Sequence, residues 1–344
     1  MLCRQRNKSV FLVAVRFLSN LFSRTASNYS NPRLGVATPE QLNSAMELLL
    51  LTPHQRVGAE EIDVFTQSLK ARGIDLSNMR IAARGDRLTY ALLPAVLPGR
   101  TLMLLSGSPA ERVSHADAAL LIKSVTDEYL AADLSMMQVL IDPEDASSLA
   151  NYALCGFARM AELIYLEGPT RLATYEFPPE VTLLSYSPAL HEDFALAISA
   201  SYEETLDCPA LNGVRHIEDI MVGHRAAGEY NPNNWLLLRD AAGPAGVMIL
   251  SKTPDSFVME LVYVGLAPRA RGRGLGIRLM LLAITRAYQA RCQRLMVAVD
   301  AHNTPAMNMY FRAGMQRIGS RMAMVRVMHA PDDISSTIHP QSDK

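Results

Sequence analysis

The stretch Met259–Leu282, MELVYVGLAPRARGRGLGIRLMLL, decides how the rest of this chain is read. Met259–Leu266 is mostly apolar and includes Val262, Tyr263 and Val264, the composition of a buried strand. Pro268 ends that strand, and a basic, glycine-rich turn follows over Arg269–Gly276. From Ile277 the apolar spacing is helical, through Leu279, Leu282 and Ala283. A strand, a glycine turn and a helix start together make an anion site. The first-turn N–H groups have no partner inside the helix, the helix dipole favours negative charge, and glycines let a phosphate touch the backbone.

Two common phosphate motifs are excluded. No Lys-Ser or Lys-Thr follows these glycines, as a P-loop requires, and Gly272, Gly274 and Gly276 give GxGxG rather than GxGxxG. What fits is R-x-x-G-x-G, as Arg271, Gly274 and Gly276. This resembles the pyrophosphate-binding motif of the GNAT family, the acetyl-CoA-dependent N-acetyltransferases. Taken alone, the same residues also read as an exposed arginine-rich turn. A second match lies downstream: the short strand Arg294–Val299 is followed by N-x-x-A-x-x-x-Y-x-x-x-G, met by Asn303, Ala306, Tyr310 and Gly314. A third lies upstream, where Glu260 stands eleven residues before Arg271, similar to the general base of several family members.

The resemblance implies acetyl-CoA as co-substrate and no metal. It places Arg271, Gly272, Arg273, Gly274, Leu275 and Gly276 on the pyrophosphate, and Asn303 and Ala306 on the CoA arm. A strand N–H at Val264 to Leu266 would polarise the thioester carbonyl. Glu260 would take the proton of the acceptor amine, and Tyr310 would protonate the departing thiolate. The competing roles are a structural salt bridge for Glu260 and a packing contact for Tyr310.

Composition sets the outer bounds. The chain has 344 residues, suited to two domains, with 49% hydrophobic and 19% charged residues, the balance of a globular protein with ample core. A formal net charge of −1 gives no whole-protein attraction for nucleic acid or anionic membranes. Cys3, Cys155, Cys208 and Cys292 are scattered without Cys-x-x-Cys or Cys/His spacing, so neither a zinc site nor a disulfide scaffold is expected, and a reducing cytoplasm is the default. Residues 1–31 contain five basic residues and no acid, and read as an unstructured or mis-assigned leader in preference to a transit peptide. Residues 330–344 are polar and read as a flexible tail.

Between these ends the patterns run helix (39–51), helix (59–71), three strands (80–83, 88–95 and 101–105), helix (118–130), strand (137–141) and helix (144–154). That order repeats. At an offset of 158 residues Met137–Phe157 matches Leu295–Met315 without a gap, aligning Asp142 with Asp300, Tyr152 with Tyr310 and Gly156 with Gly314. The expected fold is therefore α/β with a mixed sheet, as two tandem GNAT lobes at 32–168 and 178–329, resembling the two-lobed, mycothiol synthase-like members. The offset sets Val113, Ala116 and Ala118 against Arg271, Gly274 and Gly276, and places Asp117 inside the turn, so the N-terminal lobe is read as degenerate.

In the C-terminal lobe the segment Glu203–Gly213 falls where the family has its acceptor wall. Tyr202, Thr205, Asp207 and Cys208 are candidate contacts for a small-molecule or peptide amine, against a plain solvated loop. Two function classes follow: a direct N-acetyltransferase, or a non-catalytic acyl-CoA-binding module. Glu260 and Tyr310 together favour the enzyme, because a binding module needs only the turn.

Overall fold

The computed structural model describes residues 31–52, 58–109, 112–253 and 257–328. The leader read over 1–31, Asn31 apart, and the tail at 330–344 lie outside the described residues. In order, the elements are β1 (Arg33–Val36), α1 (Leu42–Leu50), α2 (Ala59–Ala71), β2 (Arg80–Arg84), β3 (Arg87–Leu97), β4 (Thr101–Ser106), α3 (Arg112–Glu128), β5 (Met136–Ile141), α4 (Ala146–Leu154) and β6 (Ala158–Pro169). The same order then recurs as β7 (Thr182–Ser185), α5 (His191–Ser201), α6 (Ile217–Arg225), β8 (Trp235–Asp240), β9 (Gly243–Lys252), β10 (Val258–Leu266), α7 (Leu275–Gln289), β11 (Arg294–Asp300), α8 (Thr304–Arg312) and β12 (Gln316–Val327).

The two halves reproduce each other down to their hydrogen bonds. Asp142 and Asp300 each end a strand and accept an N–H two residues on, from Glu144 at 3.0 Å and from His302 at 2.9 Å. Asp145 and Asn303 each cap the helix that follows, accepting from Ser148 at 2.9 Å and Ala306 at 3.2 Å. Gly156 (φ +86°) and Gly314 (φ +94°) end those helices in the left-handed region. The fold is thus two tandem copies of one mixed α/β unit, as expected from the repeat in the sequence.

Among the described residues twelve strands form one sheet in the order β1-β2-β3-β4-β5-β12-β6-β11-β10-β9-β8-β7. The halves exchange their last strands. β6, from the first half, pairs antiparallel with β11 of the second, and β12, from the second half, pairs antiparallel with β5 of the first. β6 and β12 pair with each other at the centre, from Glu167↔Gln316 to Ala158↔Val325. Neither strand, nor the short edge strand β1, is read from sequence pattern.

Alternation along the central strands sorts the helices. Met322 and Met324 of β12 pack with α3 and α4, while Ile164 and Leu166 of β6 pack on the same face with α7 and α8. The opposite face carries α1 and α2 over Ile81, Ala91 and Leu93, and α5 and α6 over Trp235, Leu237, Val247 and Ile249. Burying each such large apolar side chain contributes roughly 1.5–3 kcal/mol. The exchange therefore sets the helix pairs α1/α2 and α5/α6 side by side on one face, with a groove between them floored by β5, β12, β6 and β11.

The groove is closed at one end by the β3–β4 turn, which touches α6. A Cβ at Gly99 (φ +81°) would stand 2.2 Å from the Asp219 carbonyl oxygen, so only glycine allows this approach. Arg215 donates to the carbonyls of Asp219 (2.7 Å) and Gly99 (3.3 Å) across the same junction.

Because each half completes the other's sheet, cutting the chain between β6 and β7 is expected to give two fragments that are insoluble alone and co-purify one-to-one when co-expressed. Gel filtration of the separate fragments tests this; a monomeric, cooperatively folding fragment would contradict it.

Candidate active site

β10 and β11 run parallel and pair only over Val258↔Arg294, Met259↔Leu295 and Glu260↔Met296. Beyond that point Leu261–Leu266 stays with β9 while Val297–Asp300 stays with β6, so the sheet forks. β10 is also bulged between Leu261 and Tyr263. Met259 and Leu261 enter the core beneath α7, whereas Glu260 and Tyr263 face α5, α6 and the groove. Glu260 thus stands at the base of the fork. Desolvation raises its carboxyl pKa above the ordinary value, against the lowering influence of Arg72, which follows α2.

At the open end of the fork the chain turns sharply through Gly272 (φ +72°) and Gly274 (φ +71°), and Gly274 caps α7. A Cβ at Gly274 would lie 2.6 Å from Arg278 Nη1, and one at Gly276 would lie 3.0 Å from Met309 Sδ of α8. The turn is therefore bare backbone leading into a helix of 15 residues, whose first N–H groups have no intrahelical partner. A phosphate-bearing ligand fits this cradle.

The arginines of the turn are spent on the protein itself. Arg271 donates from Nε to the Leu266 carbonyl (3.0 Å), from Nη1 to Glu204 (3.2 Å), and from Nη2 to Ser201 (2.9 Å) and Glu203 (2.7 Å). It thereby holds the carbonyl end of α5, where a cation is favoured, against the strand end. Arg269 and Arg273 both reach Asp240, at 3.2 and 3.4 Å, and Arg273 also reaches Glu180 at 3.1 Å.

The segment after α5 bridges the fork. Starting from Arg271, it crosses to the tip of β11, where the Asp207 carboxylate accepts the Asp300 N–H (3.0 Å) and the Asp300 carboxylate accepts the Cys208 N–H (3.1 Å). Glu204 (φ 51°) and Cys208 (φ 45°) adopt left-handed backbone to make the crossing. Asp207 is exposed as a residue, yet its carboxyl lies in crowded surroundings and its pKa is raised by desolvation, opposed by the Asp300 N–H. Burial, with Asp207 and Asp300 beside it, pushes the Cys208 thiol up to about 12. A protonated thiol of that kind is a poor nucleophile.

Tyr310 projects from α8 into the core on the far face of the sheet. Burial, and then Asp207, raise its pKa, so the phenol keeps its proton. On the groove face Tyr263 bonds Ser201 Oγ at 2.5 Å and stands edge-on to Tyr202, whose phenol burial pushes up to about 12. His224 lies against the Tyr263 ring at 5.0 Å; burial and Arg215 lower it to about 4, so it is neutral at physiological pH.

This geometry coincides with a family match. Residues 201–315 match the model of the acetyltransferase (GNAT) family. The chain is similar to the mycothiol acetyltransferases of Pseudarthrobacter chlorophenolicus (29% identical over 183 residues, 51% of this chain and 54% of that protein) and Actinosynnema mirum (28% over 180 residues, 51% and 58%). The match thus spans little more than half the length of these relatives. Among solved structures, a GCN5-related N-acetyltransferase from Sphaerobacter thermophilus superposes with a TM-score of 0.60 at 16% identity, covering 90% of this chain and all of that one. A tandem GNAT protein from the clavulanic acid biosynthesis pathway gives 0.50 at 14%, covering 88% of this chain and 100% of that one. At these identities the two structures bear on fold alone.

Within residues 201–315, the fork brings together Glu260, Val264, Leu266, the turn Arg271–Gly276 and, through Asp207, Asn303 and Tyr310. The side chains of Arg271 and Arg273 turn away onto protein acceptors. Asn303 caps α8, and Thr205 accepts the Asp207 N–H at 3.1 Å, so these two shape the backbone. Sequence reasoning missed Asp300 as the anchor of the bridging segment, although its match to Asp142 in the repeat was a signal. Nothing in the pattern marked Arg72, Tyr165 or His224. Among the described residues no group of three or more His, Cys, Asp or Glu is gathered to hold a metal, and no helix is long and apolar enough to cross a membrane.

Two measurements check this description. Arg271→Ala is expected to cost about 2 kcal/mol of stability in urea titrations without any ligand, because four carbonyl contacts from a charged donor are lost; an unchanged midpoint would refute the clamp. For Glu260 the folded pKa lies above the unfolded one, so ionised Glu260 destabilises the native state once pH exceeds the unfolded carboxylate value. Glu260→Gln should therefore melt higher than wild type near pH 7, with the gap closing as pH falls below about 4.

Proposed function

We propose that the protein is an acetyl-CoA-dependent N-acetyltransferase that passes the acetyl group directly to an amine. The observation that carries this reading is the fork: β10 and β11 separate immediately after Glu260, with the bare turn of α7 at the open end and Tyr310 behind. The residues from 178 to 329, completed by β6, are read as the active lobe. Those from 32 to 168, completed by β12, are read as a supporting one. In that lobe the turn is replaced by helix, and the fully buried Asp117 is held by Arg84 (2.7 Å) and Thr89 (2.7 Å).

Acetyl-CoA supplies an activated thioester when bound. The N–H groups of Gly272–Ile277 would hold its pyrophosphate, with Gly274 and Gly276 admitting it to the backbone. The backbone of β10 near Val264 to Leu266, freed from β11 by the fork, offers donors to a carbonyl oxygen. Glu260 receives the amine proton, and a carboxylate whose pKa is raised by desolvation is a stronger base for that task. Tyr310 keeps its proton, and because burial makes its phenol a weak acid its part is to donate a hydrogen bond to the departing thiolate, with the proton passing on only as the thiol leaves. The acceptor enters from the groove, so its class is set by residues of both lobes.

Acetyl-CoA at about a hundred times its Kd should stabilise the protein by roughly 2.7 kcal/mol in thermal melts. With a competent amine, Glu260→Gln should lower kcat by about 100-fold or more while the acetyl-CoA shift persists. Release of free CoA from an amine panel reads this out. A thermal shift without Glu260-dependent turnover would instead indicate a binding module, and no shift would sink both readings.

A further inference from the structure

The groove beside Glu260 is unusually supplied with uncommitted positive charge. Arg72, exposed just beyond α2 in the N-terminal lobe, interacts electrostatically with Glu260. Arg321 of β12 lies on the same face: it pairs with Leu163, two residues along β6 from Tyr165, and Tyr165 in turn pairs with Ala298 beside Met296, the partner of Glu260. Tyr165 interacts with both Arg321 and Glu260. Among the described residues neither Arg72 nor Arg321 joins an ion pair; Arg321 spends one donor on the Ser320 carbonyl at 2.8 Å. The nearby acids are engaged elsewhere, Glu167 with Arg294 (3.3 Å) and Asp219 with Arg100 (3.7 Å).

One carboxylate with two guanidinium groups outside any ion pair on its face is the wrong environment for a polycationic acceptor. It suits a molecule whose amine meets Glu260 while a carboxylate takes up the arginine forks, which match that group in charge and geometry. Glu260 on β10 and Arg321 on β12 lie three strands apart and four residues apart in register, roughly 20 Å at the backbone, a span that two long side chains and a short peptide fill. Resting on the reading of Glu260 as the base, we propose that the groove selects an amino-carboxylate acceptor, an amino acid or short peptide with a free carboxylate. The N-terminal lobe, through Arg72, and the exchanged strand, through Arg321, supply that selectivity.

The test is calorimetric binding of dipeptides with a free C-terminal carboxylate beside the same dipeptides as C-terminal amides, without acetyl-CoA. The acid forms should bind at least 10-fold more tightly. Arg72→Gln and Arg321→Gln should each shrink that ratio, and together bring it near one with the affinity for the amides unchanged. Equal binding of the two forms, no binding of either, or a preference that survives both substitutions overturns the proposal. If Arg72 only tunes Glu260, Arg72→Gln will move the acid limb of the pH–rate profile equally for acid and amide, which also overturns it. Thermal melts of the variants check that they fold. Because the binding comparison itself needs no transfer, its failure leaves the acetyl-CoA shift and CoA release to judge the proposed function separately.

Discussion

The antiparallel pairing of β6 with β12 is the constraint on which the rest of this molecule depends. Two copies of one unit related by a twofold axis normal to a sheet must meet through equivalent, antiparallel strands, and here the strands that meet have been exchanged. Each unit's sheet is closed by a strand from the other, so neither core is complete alone. The same axis fixes which helices share a face. It puts α1/α2 and α5/α6 together, and in doing so makes the N-terminal unit one wall of the groove that Glu260 faces.

Symmetry in the backbone sets off the asymmetry in chemistry. In the N-terminal unit β4 and β5 remain paired over Thr101–Leu104, and the short fork beyond is filled by Tyr152, whose hydroxyl bonds Ser106 at 2.8 Å. Asp117 occupies the place of the turn, and α3 begins at Arg112, ahead of it, so no free helix start remains there. In the C-terminal unit Leu275 stands in the place of Asp117, and Gly272 and Gly274 just before it are in left-handed backbone. The protein's own hydrogen bonds fill one fork, and the other keeps backbone donors open. The fully buried Asp117 is hard to free from Arg84, because removing the guanidinium strands its charge.

The elements that carry motifs were legible because their signals are local: a strand ending at Pro268, glycines where φ is positive, Asn303 at a helix start, Gly314 at a helix end. β6 and β12 were not. Each is apolar on one side only, through Ile164 and Leu166 or Met322 and Met324, with Glu162, Arg317 and Arg321 interspersed, and β12 is further broken by a register shift near Gly319. Their identity as strands comes from partners more than a hundred residues away, which no window along the chain contains. Side-chain roles followed the same rule. Arg271 was legible as part of a turn, but its carbonyl acceptors at Ser201, Glu203 and Glu204 lie on another element, so its work as a clamp was not.

That clamp bears on the proposed chemistry. By tying the end of α5 to the end of β10, Arg271 fixes one side of the bridging segment, and Asp207 with Asp300 fixes the other. The segment is thereby held across the fork, with Asp207 close enough to disfavour a Tyr310 phenolate. On the opposite face, desolvation outweighs Arg72 in setting Glu260, which raises its affinity for a proton. The proposed base, Glu260, and the proposed thiolate contact, Tyr310, lie on two faces of one sheet, on either side of the gap between β10 and β11. In the proposed reaction the amine proton would be accepted on the groove side, the acyl group would pass at the gap, and the leaving thiolate would meet the protonated Tyr310 hydroxyl on the far side. It requires that the gap stay open, which is what the divergence of the two strands after Glu260 provides.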